Sequence, residues 1–303
     1  MGVNITYPLL VLNESLCNPQ PDASPKSNVW LSLQCHSMQK PLSTIQEKHK
    51  NKKLVVFDLD GTLVETKSAI DANMAELLGR LLEKKPVAVI GGGKYEVFKD
   101  IFLNKLNFSD KLLKNLYIFP TTASSFYRYK NGWQKVYSRE LSKKTRVKIL
   151  KAFEKAFKEL NYKNPEKTYG EIVEDRGTQI TFSVFGQDLV KVLGKKGVEM
   201  KKEWRDKNTK LKLKLAKAVQ RRLPNLEVRA AGYTSIDVTK KGIDKAYGLK
   251  QIKKHLGIPF SEMLFVGDAL FKGGNDYAAL RTGIECVEVK KLEDTKKIIK
   301  FLS

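Results

Sequence analysis

The chain has 303 residues, of which 42% are hydrophobic, a length and composition that allow one large or two ordinary globular domains. No apolar run is long enough to span a bilayer, and the N-terminus lacks the features of a secretory signal, so we expect a cytoplasmic protein. Its 56 basic and 33 acidic side chains give a net charge of +23, which suits phosphorylated metabolites, nucleic acid or a membrane surface without choosing among them.

The first half of a parallel α/β unit is predicted after a polar N-terminal segment. Residues 1–50 hold half of the ten prolines and no sustained hydrophobic period, so they predict a flexible extension. The apolar run LVVF at 54–57 predicts a buried strand, residues 68–83 have helical spacing, and PVAVI at 86–90 predicts a second strand. Strand, helix and strand in that order indicate parallel pairing.

An insertion is predicted after LYIFP at 116–120. SFYRY and QKVY flank an Asn-Gly pair, which is typical of a hairpin, and a long helix, two strand-like runs and a lysine-rich helix follow as far as Arg222. The runs SIDV, MLFVGDA and CVEV then resume the parallel pattern. We therefore predict an α/β fold with a Rossmann-like parallel-sheet core, residues 51–121 and 231–303, and an inserted α+β cap at 122–230.

Two carboxylates follow the first predicted strand. Asp58 and Asp60 lie at its C-terminal end, where open parallel sheets place their ligand crevice. This spacing suits Asp58 as a nucleophile that forms an aspartyl-phosphate intermediate and Asp60 as the general acid and base. Gly61 permits an unusual backbone angle after them, and Thr62 can hydrogen-bond within the turn or to a phosphate oxygen.

A Mg²⁺ site is predicted where a second strand end brings further oxygen ligands. Asp268, Asn275 and Asp276 follow the MLFVG strand, and hard cations such as Mg²⁺ prefer carboxylate, carbonyl and water oxygens. Lys245, at a predicted helix start, is a candidate for a fixed positive charge beside Asp58. We therefore expect Mg²⁺ as the cofactor and Asp58, Asp60 and Lys245 as the catalytic residues.

These motifs together resemble the haloacid dehalogenase superfamily, over about residues 52–303. FDLDGT, Lys245 in GIDKAYGL and GDALFKGGND are similar to three motifs of that superfamily. The phrases IGGGKYEVF and EDRGTQITFSVFG are most similar to the eukaryotic-type phosphomannomutases of subclass IIB, which have an inserted α/β cap. The resemblance implies Mg²⁺ held by side chains such as Asp58 and Asp268 and by the carbonyl of Asp60, with a cap that closes over a sugar phosphate.

Two departures from the mutase pattern concern phosphate binding. Gly93 stands where the second motif normally has Ser or Thr, so the amides of Gly92 and Gly93, with Lys94 nearby, are expected to cradle the phosphate instead. Arg176 matches the first of three cap arginines that the resemblance implies, Gln187 replaces the second, and no arginine stands near the third position. Glutamine does not reproduce the bidentate grip of a guanidinium on phosphate.

Three functions remain open at the level of sequence. We favour a Mg²⁺-dependent phosphohydrolase or phosphotransferase that acts on a phosphorylated sugar. The first alternative is a phosphomannomutase that converts mannose 6-phosphate to mannose 1-phosphate. The second alternative is a basic nucleic-acid-binding protein with a vestigial core. The favoured hypothesis predicts a small phosphorylated metabolite as partner, with no nucleic acid or membrane partner. A homodimer formed through the cap stays open.

Overall fold

The computed structural model describes residues 44–66 and 68–303. Most of the predicted N-terminal extension, residues 1–43, therefore lies outside the described residues. Among the described helices, none combines the length and the apolar character needed to cross a lipid bilayer. The described chain forms a core built on one mixed sheet and a cap built on a second, antiparallel sheet.

The core is an α/β unit around a seven-stranded sheet with the strand order β11-β10-β1-β2-β3-β4-β5. The first five strands in that order pair in parallel, and β4 and β5 continue the sheet antiparallel. This confirms the predicted fold class. The strands are β1 (Leu54–Asp58), β2 (Val87–Ile90), β3 (Leu116–Phe119), β4 (Ser125–Tyr129), β5 (Trp133–Ser138), β10 (Met263–Gly267) and β11 (Glu285–Glu288).

Helices cover both faces of the core sheet. The LVVF run is apolar throughout because alternate residues of β1 are buried in two different layers. Val55 and Phe57 belong to one layer, whereas Leu54 and Val56 pack in the other, with Leu249 of α8. The core helices are α1 (Ala72–Lys84), α2 (Tyr95–Ile101), α3 (Asp110–Leu113), α4 (Pro120–Ala123), α8 (Lys245–Leu256) and α9 (Leu292–Leu302).

The cap is an α+β layer with the strand order β6-β7-β9-β8. Its hydrophobic core includes Phe153 and Leu215 from the helices and Phe182 and Ile236 from the strands. The cap elements are α5 (Lys143–Glu159), β6 (Val173–Asp175), β7 (Gln179–Ser183), α6 (Leu189–Leu193), α7 (Lys195–Arg222), β8 (Leu226–Ala231) and β9 (Ser235–Lys240).

Three strands lie in a different sheet from the one that sequence predicted. The hairpin β4–β5, predicted to open the cap, extends the core sheet, and the ring of Phe126 stacks on Phe119 of β3 with centroids 4.4 Å apart. Strand β9, predicted as a core strand, pairs with β7 and β8 of the cap. Its alternation of buried Ile236 and Val238 with half-buried Asp237 is the period of an antiparallel strand with one exposed face.

The N-terminal end of the described chain is packed on the core. Residues 47–51 form a short 3₁₀ helix, and the side chain of His49 is fully buried with Nε2 2.7 Å from Glu285 Oε2 of β11. Burial lowers the pKa of His49, although Glu285 opposes this effect. The prediction of a flexible extension is therefore wrong for residues 47–50, because a buried polar contact fixes them to the sheet.

Candidate active site

Asp58 ends β1, and the loop after it turns sharply toward β10. Gly61 has φ +87° and donates its N–H to the carbonyl of Val64 at 2.7 Å. A Cβ at Gly61 would lie 2.4 Å from Asp268 Oδ2, so only glycine allows this approach. The turn therefore brings Asp58 beside the carboxylate that follows β10, as expected for neighbouring parallel strands.

The loop after β10 places a second carboxylate, that of Asp276, close to Asp58 and Asp268. Asp276 is fully buried, and its Oδ2 accepts a hydrogen bond of 3.2 Å from the N–H of Ala269. Asp58, Asp268 and Asp276 each offer a carboxylate oxygen, and these oxygens lie within 4.8 Å of one another. Three of the five predicted metal ligands therefore converge. Asn275 is exposed at the surface of the loop, whereas its neighbour Asp276 points inward.

Lys245 supplies the cation of this cluster from the first turn of α8. Its ammonium donates to Asp58 Oδ1 and to the carbonyl of Ile90, the latter at 2.9 Å, and lies 3.1 Å from Asp276 Oδ1. The helix begins at Lys245 because the N-cap Asp244 accepts a hydrogen bond from the N–H of Tyr247. Lys245 is 1% exposed, so all three contacts are made away from bulk water.

Three carboxylates and one ammonium leave the cluster with an excess of negative charge. Burial raises the pKa of Asp58 well above its ordinary value, Lys245 opposes this, and Asp276 and Asp268 add to it. Burial and Asp276 raise the pKa of Asp268 to about 7. Burial would lower the pKa of Lys245, but Asp276 and Asp58 outweigh it and keep the ammonium charged. Asp58 Oδ2 is buried without a hydrogen-bond partner among the described residues.

Asp60 and Thr62 lie in the turn after Asp58 in different surroundings. Asp60 is half-buried, and its backbone forms a bridge with Val64. Thr62 is fully buried, and its Oγ1 has no hydrogen-bond partner within the described part of the chain. Asp60 is thus less buried than Asp58, and its role as the general acid and base stays a prediction.

The glycine loop after β2 lies on the core side of the boundary between core and cap and contacts a cap residue. The carbonyl of Gly92 accepts a hydrogen bond of 2.8 Å from Arg176 Nη1, and the carbonyl of Gly93 accepts one of 2.8 Å from the N–H of Thr121. Thr121, Thr122 and Ala123 have left-handed φ angles of 49°, 56° and 61°, a strained turn for residues with a side chain. This turn holds the glycine loop in place through hydrogen bonds from its backbone N–H groups.

Arg176 extends from the cap to the glycine loop, and its guanidinium forms three hydrogen bonds. Its Nε donates to Glu174 Oε2 at 2.7 Å and its Nη2 to Gln187 Oε1 at 3.0 Å. Lys94 Nζ lies 2.7 Å from the other Glu174 oxygen. Four of the six predicted substrate-binding residues, Gly92, Lys94, Arg176 and Gln187, therefore lie in one network across the core–cap boundary.

Four polar residues beside this network were not predicted from the sequence. They lie on the cap strands that face the core: Glu174, Gln179, Thr181 and Asp237. Burial would raise the pKa of Glu174, but Arg176 and Lys94 together lower it, so the carboxylate stays ionised between them. Thr181 Oγ1 donates to Asp237 Oδ1 at 2.8 Å. The available signal was the alternation of polar and apolar residues along β7 and β9.

The sequence relationships agree with this geometry. Residues 55–283 match the family of haloacid dehalogenase-like hydrolases. The chain belongs to this family. It is also 31% identical over 235 residues to a phosphomannomutase of Encephalitozoon cuniculi, covering 75% of this chain and 83% of that protein. A phosphomannomutase of Saccharomyces cerevisiae is 26% identical over 236 residues, covering 76% and 85%.

Solved structures support the same fold. The IMP-nucleotidase of Plasmodium falciparum superimposes with a TM-score of 0.60 at 18% identity, covering 84% of this chain and 71% of that one. A haloacid dehalogenase-like hydrolase of Bacteroides thetaiotaomicron gives a TM-score of 0.55 at 14% identity, covering 83% and 100%. Family membership and the similarity to phosphomannomutases make this haloacid dehalogenase-like chain an enzyme of the phosphatase or phosphotransferase type.

Proposed function

We propose that this chain is a Mg²⁺-dependent phosphohydrolase that acts on a phosphorylated sugar through an aspartyl-phosphate on Asp58. The observation that carries the proposal is the cluster of Asp58, Lys245, Asp268 and Asp276 at adjoining strand ends. Its full set of charged groups argues against a vestigial core and hence against the nucleic-acid-binding alternative. A small phosphorylated metabolite suits both the cluster and the relatives' chemistry.

Asp58 is the nucleophile in this proposal. A carboxylate oxygen of Asp58 attacks phosphorus, the bond from phosphorus to the sugar oxygen breaks, and the sugar oxygen receives a proton from Asp60. Asp60 then takes a proton from water as that water attacks the aspartyl-phosphate, which releases inorganic phosphate and restores Asp58. Lys245 stays protonated throughout, because its neighbours raise its pKa, and it holds Asp58 in position through Oδ1.

The residues of the cluster fit Mg²⁺. Asp58 Oδ2 is buried and has no hydrogen-bond partner in the described part of the chain, and three oxygens lie close enough to share one hard cation. Asp58, Asp268 and Asp276 would hold the ion, together with the Asp60 carbonyl that the family resemblance implies. When bound, Mg²⁺ neutralises charge on the transferring phosphoryl group. It would also offset the excess of carboxylates, which one ammonium does not balance.

The cap network supports hydrolysis of a monophosphate. A guanidinium has five N–H groups, and three of those on Arg176 already donate to Glu174, Gly92 and Gln187. The Nε–H of Arg176 is one of the two donors in a common bidentate contact with phosphate, and here it donates to Glu174. A distal phosphate would therefore have to displace a carboxylate from both Arg176 and Lys94. A neutral sugar hydroxyl meets no such competition.

The phosphomannomutase alternative remains the second candidate, because the sequence similarity to phosphomannomutases covers three quarters of the chain. A mutase must keep a sugar bisphosphate in the site while excluding water. That requirement needs cationic groups on the cap side. Lys94 and Arg176 are the cations placed there by the network, and both are paired with Glu174.

The experiment that separates these functions uses the purified full chain with Mg²⁺ and a panel of hexose and pentose phosphates. A phosphohydrolase releases inorganic phosphate from at least one monophosphate without an activator. A mutase converts mannose 6-phosphate and mannose 1-phosphate into each other only when a sugar bisphosphate is present. Asp58→Asn should abolish either activity. The proposal would be refuted if no member of the panel gave either phosphate release or isomerisation.

A further inference from the structure

A basic groove lies at the N-terminal ends of the parallel core strands, opposite the end of the sheet where Asp58 lies. It has a volume of about 600 Å³ and is lined by the starts of β2 and β3, residues 128–131 of the hairpin, and the C-terminal end of α8. Because β1, β2 and β3 are parallel, their starts face away from the edge where Asp58 and the glycine loop lie. The groove is therefore separate from the candidate active site.

The groove is strongly cationic. Lys114, Arg128 and Lys130 line it, and none of the three forms an ion pair within residues 44–66 and 68–303. None of the described lining residues is acidic. His255 also lines it, and the pKa of His255 is lowered first by burial and then by Lys254, Arg128 and Arg139. Unpaired cations gathered around one concave surface favour an anion.

The groove also offers flat aromatic surfaces. Tyr117 and Tyr129 are half-buried and line it beside the cations, whereas Phe126 is only 2% exposed and has its ring centroid 5.2 Å from that of His255. Inorganic phosphate would use only the cations. A nucleobase stacks on aromatic side chains or on a guanidinium plane, at about 1–3 kcal/mol per base. The lining therefore suits a ligand that combines a planar ring with negative charge.

We propose that this groove binds a single nucleoside phosphate, with the base against the aromatic rings and the phosphates against Lys114, Arg128 and Lys130. Its volume lies in the range of small-molecule sites, whereas a polynucleotide needs a track that continues past one nucleotide. The site is independent of the proposed hydrolysis. It adjoins the end of α8, the helix whose first residue is Lys245.

The test is titration calorimetry of the full chain with ATP, adenosine and pyrophosphate in turn. The groove variant is Arg128→Ala combined with Lys130→Ala, both exposed positions. The matched control is Lys143→Ala combined with Lys144→Ala, two exposed lysines of α5 in the cap. We expect the groove variant to bind ATP about tenfold or more weakly and the control to bind it like the wild type. Both variants should keep the wild-type melting temperature and phosphatase rate.

Three results would overturn the proposal. The first is ATP affinity that is the same in the wild type and the groove variant, which would place any nucleotide elsewhere. The second is pyrophosphate binding as tightly as ATP, which would mean that the rings contribute nothing. The third is a ten-nucleotide single-stranded RNA that binds about a hundredfold more tightly than ATP and depends on the same residues, which would identify the groove as part of an RNA surface.

Discussion

Lys245 Nζ lies 3.1 Å from Asp276 Oδ1 and also donates to Asp58 Oδ1, so one buried ammonium holds two carboxylates from different loops. The two aspartates are 218 positions apart along the chain, and each ends or follows a different strand of the sheet. The first residue of α8 therefore links the end of β1 to the loop after β10. Both the stability of the fold and the proposed chemistry depend on this contact.

Lys245→Met should destabilise the metal-free protein by about 3–5 kcal/mol at pH 8, because it leaves buried carboxylates without their cation. The loss should be smaller at pH 5, where protonation relieves the repulsion between those carboxylates. Urea unfolding at both pH values measures the effect. The matched control is Lys250→Met, an exposed position of the same helix, which should stay close to wild type. Equal losses at the two pH values would contradict the electrostatic explanation.

Mg²⁺ binding should strengthen as the pH rises through about 7. The pKa of Asp268 is raised to about 7 in the metal-free protein, above its value in the unfolded chain, so the folded state binds the extra proton. This group therefore adds stability below its unfolded pKa, and that stability is lost as the pH rises through 7. Mg²⁺ needs the ionised carboxylate, so the rise in melting temperature with 5–10 mM Mg²⁺, about the usual assay range, should be larger at pH 8 than at pH 6.

The same titration in Asp268→Asn supplies the control. The amide carries no proton to lose near pH 7, so the part of the pH dependence that comes from Asp268 should disappear and only the part that comes from Asp58 should remain. Ca²⁺ should bind with the same direction of pH dependence, because it also needs ionised oxygen ligands. A Mg²⁺ effect in the wild type that is flat between pH 6 and 8 would show that Asp268 does not control the site.

Gln187→Arg should increase the affinity for a sugar bisphosphate. The substitution removes the acceptor that Gln187 Oε1 offers to Arg176 Nη2 and adds a second guanidinium to the cap side of the site. We expect a bisphosphate to inhibit hydrolysis of a monophosphate about tenfold more strongly. Gln187→Lys, which adds the charge without the fork, should produce a smaller change. No difference among the three proteins would mean that Gln187 does not face the bound phosphate.

Gly248→Ala should destabilise the core by about 1–3 kcal/mol, although alanine favours a helix by about 1 kcal/mol relative to glycine. A Cβ at this position of α8 would lie 2.2 Å from Ile90 Cδ1 and 2.9 Å from Ala123 Cβ. Activity should fall as well, because the carbonyl of Ile90 accepts a hydrogen bond from Lys245. Thermal unfolding and hydrolysis rates of this variant are compared with those of Lys250→Ala, where the exposed site has room for the change.

Sequence patterns predicted the main strands and the charged cluster for a clear physical reason. Asp58, Asp268 and Lys245 each follow or begin a strongly apolar or helical segment, and parallel sheets bring such ends to one edge. The same patterns did not assign β9 or the β4–β5 hairpin to the right sheet. An Asn-Gly turn predicts that two strands pair with each other, but it does not specify which third strand they join.

The contacts that sequence could not reveal join residues far apart in the chain. Glu174 accepts from Arg176 two positions away, yet it also pairs with Lys94, and that second contact depends on how the cap lies on the core. His49 is similar, because its partner Glu285 lies 236 positions later. Local periodicity carries no information about such pairs. Asn275 was misplaced for the opposite reason, since two adjacent oxygen-bearing residues were both assumed to face inward.

The chain crosses between core and cap twice, at residues 139–142 and at residues 241–244, between elements whose bounds are fixed by the two sheets. The second crossing contains Gly242 with φ +80° and ends directly at Lys245. Any rotation of the cap must be absorbed within these few residues. Lys245 is the first helical residue after this crossing and contacts Asp58, so the segment that joins the cap to the core leads directly into the residue that holds Asp58 in place.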